Sequence, residues 1–378
     1  MIENLLLLLF ILLLIHYLIF LSKIYIGLNK IKKETPLKLS DEFISVLVPF
    51  RNEEENILRV LQSLESQNYP EDKFEVIFID DNSTDNSKKI LEENLSKKNF
   101  KVLSVPNEFS DKAHKKRAIR FGIENSKGEI IVSTDGDCIH PQNWLRTLVS
   151  YFEDKTGFIS GPVKFIDQDT LFSKLQSLEF AGLVITGAGL IGSNYPVICN
   201  AANIAYRRKV FEDVGGFALQ MDLSSGDDEL LMQKVFRDTN YKIQFVPEAD
   251  AIVETEPNES LKQFYQQRKR WASKGLFYKN RLLITKLILI YLFYLSLFLQ
   301  PLFGFLIDYK FFIPFVLSIL SKIFIEYLIL KKGLKLIFNQ NISKVFFLAE
   351  IFHIPYIIIA GLSGVFGNYK WKDRHINR

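Results

Sequence analysis

Apolar residues divide this chain into three stretches of different pattern. From Asn4 to Ser22 nearly every residue is Leu, Ile or Phe, interrupted by His16. A run of that length can cross a bilayer as one helix. From residue 43 to 257, short apolar runs alternate with stretches whose apolar residues recur at helical spacing. Three long apolar spans follow, roughly Leu282–Ile307, Phe311–Leu330 and Val345–Gly367.

In the middle stretch, Phe43-Ile44-Ser45-Val46-Leu47-Val48-Pro49 reads as a strand ended by proline. Arg51-Asn52-Glu53-Glu54-Glu55 follows, then Ile57, Leu61 and Leu64 at helical spacing, with acids expected in the first turn, where the dipole favours them. Phe74 to Ile79 is a second strand, closed by Asp80-Asp81-Asn82-Ser83-Thr84-Asp85, with the next helix expected from Ser83 or Thr84. Lys101 to Val105 is a third strand and Lys115 to Ile123 a helix. The run from Glu129 then breaks at Thr134-Asp135-Gly136-Asp137.

Strands alternating with helices predict right-handed crossovers and a largely parallel sheet, with ligands beyond the carboxyl ends of its strands. Glu53, Asp80, Asp81, Asp135 and Asp137 all follow strand ends, so they are expected on one rim. Residues 158–256 are less regular. Ile159 to Val163 and Tyr241 to Pro247 read as strands. Asp227-Asp228-Glu229 opens a helix carrying Leu230, Leu231 and Val235, which N-terminal capping alone would explain. Asn200, Asn203 and Tyr206 fit a sugar pocket or buried hydrogen bonding equally well.

Charge refines the membrane picture. Lys23, Lys30, Lys32 and Lys33 follow the first apolar run, and Met1-Ile2-Glu3 lacks the basic start of a cleaved signal, so the segment reads as a retained anchor with residues 23 onward in the cytosol. Glu259 to Lys279 is amphipathic, with six Lys or Arg, and reads as a helix in the membrane interface. Gln267, Arg270 and Trp271 share one face of it, although a tryptophan anchor with a snorkelling arginine is the commoner role. Asp308-Tyr309-Lys310 would lie outside and Lys331, Lys332, Lys335 and Lys344 inside. A third full crossing would put Lys370, Lys372, Arg374 and Arg378 outside, against the charge bias, and Pro355, Gly361 and Gly364 allow a bent or re-entrant last segment. Phe311, Phe312 and Phe315 suggest lipid contact. The net charge of +4 points to no nucleic-acid partner, because the basic excess flanks apolar spans. Cys138 and Cys199 alone build neither a disulfide framework nor a zinc site.

Asp135-Gly136-Asp137 carries the chemistry. Two carboxylates so close cannot both enter a core unpaired, since burying even one costs several kcal/mol. They can share a hard divalent cation that also accepts phosphate oxygens. The glycine tightens the turn so that a diphosphate can approach the backbone.

Taken in order, Val48-Pro49-Phe50-Arg51-Asn52-Glu53-Glu54, Asp80 to Asp85, Asp135-Gly136-Asp137, Gly226-Asp227-Asp228 and Gln267-Arg268-Lys269-Arg270-Trp271 resemble the membrane-bound branch of the family 2 glycosyltransferases. That branch includes cellulose, chitin and hyaluronan synthases and ceramide glucosyltransferases. The likeness covers residues 43 to 275.

It implies an α/β, GT-A Rossmann-like, mostly parallel sheet between an N-terminal anchor and C-terminal transmembrane helices. The divisions are a transmembrane helix (1–26), a linker (27–42), a cytosolic GT-A domain (43–257), an amphipathic interfacial helix with the Gln-x-x-Arg-Trp motif (258–281), about three spans (282–367) and a basic tail (368–378). By the resemblance, Pro49, Asn52 and Glu53 surround the nucleoside, and Asp80 and Asp81 contact base and ribose. Lys115 faces the diphosphate, though His114 stands where the family has glycine. Asp135 contacts the sugar nucleotide and Asp137 binds Mg2+ or Mn2+, with Asp135 beside it. Asp228 is the general base, preceded by Asp227 in place of the usual Glu. Arg270 faces the diphosphate and Trp271 the acceptor, with Gln267 completing the motif.

The implied reaction is inverting transfer from a nucleoside-diphosphate sugar, UDP-sugar foremost, to a membrane lipid or lipid-linked glycan. The setting is a bacterial inner membrane, with the catalytic domain in the cytosol. The alternative is a processive synthase that extends and exports a β-linked polymer, which so few spans would allow only in an oligomer. A degenerate nucleotide-sugar sensor is disfavoured, because every acidic position is filled.

Overall fold

The computed structural model describes residues 2–33, 41–106, 114–218, 226–272, 278–366, 369–371 and 374–376. An apolar helix, α1 (Ile2–Lys30), precedes β1 (Ile44–Phe50), α2 (Ile57–Glu65), β2 (Phe74–Asp80), α3 (Ser87–Asn94), β3 (Phe100–Ser104), α4 (His114–Glu124) and β4 (Ile130–Ser133). Then come α5 (Trp144–Val149), β5 (Thr156–Ser160), β6 (Val163–Phe165), α6 (Leu171–Gly192), β7 (Ile204–Arg207), α7 (Arg208–Asp213), α8 (Glu229–Asp238), β8 (Lys242–Phe245) and β9 (Val253–Thr255). The chain closes with α9 (Leu261–Ala272), α10 (Arg281–Leu306), α11 (Phe312–Gly333) and α12 (Val345–Phe366), beyond which only two short paired strands are described.

Seven strands form one sheet in the order β3-β2-β1-β4-β7-β5-β8. All are co-directional except β7, which runs antiparallel to both β4 and β5. Register brings the carboxyl ends together: Phe50 lies opposite Asp80, and Ser133 opposite Leu47. The acidic turns therefore share the rim that the strand–helix alternation predicts. Val46, Val48, Val76, Phe78 and Val132 pack one face of the sheet against α2 and α5. Leu47, Ile77 and Ile131 pack the other against α4, and that cluster continues without a break through Ile185 and Leu190 of α6 into Leu21, Ile24 and Leu28 of α1.

Several elements differ from expectation. The acids Glu53 to Glu55 precede α2 instead of entering it, and the Glu53 carbonyl accepts the Ile57 N–H at 2.8 Å. α3 starts at Ser87, because Asp80 to Asp85 is spent on turns: Asp80 Oδ1 accepts the Ser83 N–H (2.9 Å) and Asp85 Oδ1 the Ser87 N–H (3.0 Å). The expected strand from Ile159 to Val163 is split at Gly161-Pro162. β6 then joins β9 in a separate small sheet, as a proline without an N–H favours. β1 runs through Pro49 to Phe50.

α6 is absent from the sequence reading, because Lys174, Glu179 and four glycines interrupt its apolar run. Among the described residues, five helical segments are long and apolar enough to cross a membrane by length and composition: α1, α6, α10, Tyr309–Phe338 and Val345–Ser363. α12 passes through Pro355 as one continuous helix, so the last segment does not reverse. α6 crosses α1 backbone to backbone. A Cβ on Gly27 would stand 1.7 Å from the Gly189 carbonyl oxygen, and one on Gly192 2.3 Å from the Gly27 carbonyl oxygen. Small residues permit such an approach.

The C-terminal helices hold a buried polar network. Lys322 pairs with Glu326 (3.1 Å) and Glu350 (2.5 Å), and Glu326 also accepts the Tyr17 hydroxyl of α1. Phe311, expected at lipid, is fully buried against Phe10 and Phe303.

Candidate active site

Two loops brace each other at the rim. Asn52 takes a left-handed conformation (φ 51°), and its Oδ1 accepts the Thr84 N–H at 2.9 Å. The Glu53 N–H donates to Ser87 Oγ (2.7 Å), and Glu53 Oε2 accepts from Asn56 (3.0 Å). Arg51 Nη1 donates to the carbonyl oxygens of Asp81 (2.8 Å) and Asn82. Asp81 is buried in an ion pair with Arg117 of α4. Asp80 and Asp81, expected at base and ribose, thus first build the loop. Pro49 is buried inside β1 and supports that loop from below.

The Asp135-Gly136-Asp137 turn rests on Phe50. A Cβ on Gly136 would come within 2.7 Å of the Phe50 Cβ. Glycine here is therefore a packing requirement of the turn itself, a reason the sequence reading did not give. Below the turn, the Thr134 hydroxyl donates to the Ala202 carbonyl (2.8 Å) and meets His140 Nε2 (2.8 Å), while His140 Nδ1 meets Ser63 (3.0 Å). Burial holds His140 neutral, with its pKa lowered to about 3.

Lys115 of α4 joins the two acidic turns. Its Nζ lies 2.5 Å from Asp135 Oδ1 and 3.2 Å from Asp227 Oδ2. Burial lowers its pKa, but the charges of Asp135 and Asp227 outweigh burial and hold it above the usual lysine range. Burial raises the Asp135 pKa, with Lys115 pulling it down and the Asp137 charge pushing it up. Asp137 is half-buried and accepts a long contact from the Cys138 thiol (3.5 Å).

Asp228 does cap a helix. Oδ1 accepts the Glu229 N–H (2.7 Å) at the start of α8, and Oδ2 accepts the Ala201 N–H (3.1 Å). A carboxylate oxygen can accept more than one hydrogen bond, so capping does not by itself exclude proton acceptance.

On α9, Gln267 accepts from Asn258 (3.0 Å), and Trp271 stacks on Phe180 of α6 (5.9 Å). Arg270 is half-buried on the same helix. The buried guanidinium is Arg268, which the sequence reading passed over. It binds Glu179 of α6 through two contacts of 3.1 Å and lies 4.3 Å from the centre of the Trp271 ring. Its partner sits on a helix the apolar pattern did not reveal.

Asn203 belongs to the core. Its Nδ2 donates to the carbonyls of Pro162 and Ala251 (2.8 Å each), and its Oδ1 accepts from Trp144 (3.0 Å). Tyr206 is buried between Phe158 and Phe211, and Asn200 caps the turn at Ala202. Asn203 thus takes the buried hydrogen-bonding role, Tyr206 is buried among aromatic rings, and half-buried Asn200 orders the turn.

A mostly parallel, seven-stranded mixed sheet, with an Asp-x-Asp turn and a second acidic pair on one rim, defines a GT-A-like domain. Residues 45–215 match the model for glycosyl transferase family 2. Among characterised relatives, glycosyltransferase AglE of Haloferax volcanii is 31% identical over 54% of this chain and 64% of its own length. The undecaprenyl-phosphate 4-deoxy-4-formamido-L-arabinose transferase of Proteus mirabilis is 27% identical over 45% of this chain and 50% of its own. The chain thus spans between half and two thirds of these relatives. The mannosyltransferase PcManGT of Pyrobaculum calidifontis, solved with GDP-Man and Mn2+, superposes with a TM-score of 0.58 at 20% identity, covering 94% of this chain and 97% of its own.

Proposed function

We propose that this protein transfers a sugar from a nucleoside-diphosphate sugar to a membrane lipid or lipid-linked acceptor, with inversion. The observation that carries the reading is Lys115 joining Asp135 and Asp227 on the rim, a cation and two acids held where a diphosphate would leave. The names of the mannosyltransferase solved with GDP-Man and of the undecaprenyl-phosphate relative support a nucleotide-sugar donor and a lipid acceptor.

Asp135 and Asp137 fit a divalent cation, Mg2+ or Mn2+. They are half-buried, one residue apart, and mutually repulsive, which is a donor set that a cation relieves. Such an ion, when bound, neutralises charge on the departing diphosphate. Lys115 adds a fixed positive charge beside it. Asp228 takes the proton of the attacking hydroxyl on a carboxylate oxygen already oriented by Glu229 and Ala201 N–H groups. Asp227, paired with Lys115, is a positioning group. Arg270 serves the diphosphate, and Gln267 and Trp271 the acceptor side. We place the sheet on the cytosolic side of the membrane, where the basic end of α1 leaves it.

The test is to incubate the detergent-solubilised full-length protein with labelled nucleotide sugars, Mn2+ and membrane lipids. A single labelled species in the organic phase is expected. Label in a high-mass aqueous product would replace this reading with a processive synthase, and no label in either phase would overturn it.

A further inference from the structure

We propose that Lys23, Lys286 and Tyr195 form a site for the phosphate of a membrane lipid, and that this phosphate anchors the acceptor, whose hydroxyl is left to Asp228; the assignment rests on the function proposed above. Three elements contribute: α1, α10 and the loop after α6. Lys23 Nζ stands 3.7 Å from the centre of the Tyr195 ring, and Lys286 Nζ 4.6 Å from it and 3.4 Å from the phenol oxygen. Two ammonium groups on one ring repel each other, and the attraction of the ring face offsets this only in part. Among the described residues, no carboxylate lies within ion-pair distance of either lysine. All three side chains are half-buried, which weakens solvent screening. His16 of α1 adds a buried ring nitrogen, Nδ1, that has no partner, and it lies within reach of the Lys286 charge.

An anion is what this cluster lacks. Lys23 closes the apolar run of α1, and Lys286 sits near the start of α10, so both stand at the level of lipid headgroups. A lone lysine at that depth snorkels outward. Here two from different helices converge on one ring between them. A phosphate would receive both ammonium groups and the phenol O–H, giving three charge-assisted donors.

The loop also connects this cluster to the reaction centre. From Tyr195 the chain passes Val197, whose carbonyl accepts from Gln233 of α8 (2.8 Å), and reaches Ala201, whose N–H is bonded to Asp228. Asp228 begins α8. The loop that presents Tyr195 and the helix that Asp228 opens are therefore one braced unit, and a headgroup held at Tyr195 is registered against the acid.

The test uses the full-length protein in phosphatidylcholine nanodiscs. Native mass spectrometry compares retention of a polyprenyl phosphate with that of the same polyprenol lacking phosphate. Wild type is expected to favour the phosphate form by about tenfold. Lys23→Gln with Lys286→Gln should bring the two lipids close to parity, and Tyr195→Phe, which keeps the ring, should lower the preference by about threefold. Nucleotide-sugar binding, measured in parallel, should be unchanged in all variants. That control separates loss of this site from misfolding and from failure of the glycosyl-transfer reading. Equal retention of the two lipids by wild type, or an undiminished preference in the double variant and in Tyr195→Phe, would overturn the site. Displacement by phosphatidylglycerol mole for mole would overturn the acceptor assignment, leaving a contact for bulk anionic lipid.

Discussion

Lys115 Nζ donates to Asp135 Oδ1 at 2.5 Å, tying helix α4 to the acidic turn after β4. The same ammonium reaches Asp227, so one side chain spans the gap between the expected metal side and the expected base side of the site. Lys115→Met should lower turnover by about 100-fold, the scale for removing one pre-set charge from a developing anion. Lys115→Arg should recover part of it. Steady-state kinetics on both variants decide, and unchanged turnover in Lys115→Met would remove the residue from the site.

Asp228→Asn should retain donor binding and abolish transfer. Asparagine has one acceptor oxygen, which can keep the Glu229 N–H cap but not the Ala201 N–H bond as well, so α8 should persist with a loss of about 1–3 kcal/mol in stability. Calorimetric donor binding beside product assays separates the two effects, and wild-type turnover would exclude Asp228 as the base.

Asp137→Ala should abolish the part of donor binding that depends on Mn2+ while leaving the fold intact, because its side chain is only half-buried at the rim. Donor titrations with and without the metal measure it. Retained metal dependence would mean that other ligands hold the ion.

Sequence reading reached the rim but not its bracing. Asp135 and Asp137 were legible because strand ends in a parallel sheet must converge, whatever the loops do, whereas Asp228 was read as a helix cap and, by the resemblance, as the base. Arg117 on Asp81 and Arg268 on Glu179 were not, since an ion pair between segments far apart in sequence leaves no periodicity in the chain. Asn203 fitted a sugar pocket or a buried hydrogen-bonding role equally well, because a polar residue type alone does not separate the two. Its three buried hydrogen bonds emerge only when β5, α5 and the turn before β9 are brought together. β7 was missed because four residues beside two arginines carry too weak a pattern.

His140 makes acid stability testable. Its folded pKa is about 3, against an unfolded 6.5, so the unfolded chain binds the proton first. Its contribution is whole above pH 6.5 and declines as pH falls toward 3, by up to about 1.4 kcal/mol per pH unit. Thermal melts between pH 7 and 4 should show that slope, and His140→Gln should flatten it. An identical slope in the variant would trace acid sensitivity elsewhere.

Lys322→Met should destabilise the helical region by about 3–5 kcal/mol, because Glu326 and Glu350 would be left facing each other without their buried cation. Adding Glu350→Gln should recover much of the loss. Detergent melts of the single and double variants give the coupling, and additive effects would deny it.

The contact between α1 and α6 alters what counts as the catalytic unit. Gly27 lies against the backbone of Gly189 and Gly192, and the apolar cluster runs on from there into the sheet. The first helix is thus a wall of the domain, more than a tether for it. Cutting the chain before β1 to obtain a water-soluble enzyme would strip that wall, bare the flank of α6 and leave a sticky, poorly folded fragment. Removing α1 is, by this architecture, the same act as taking part of the core away.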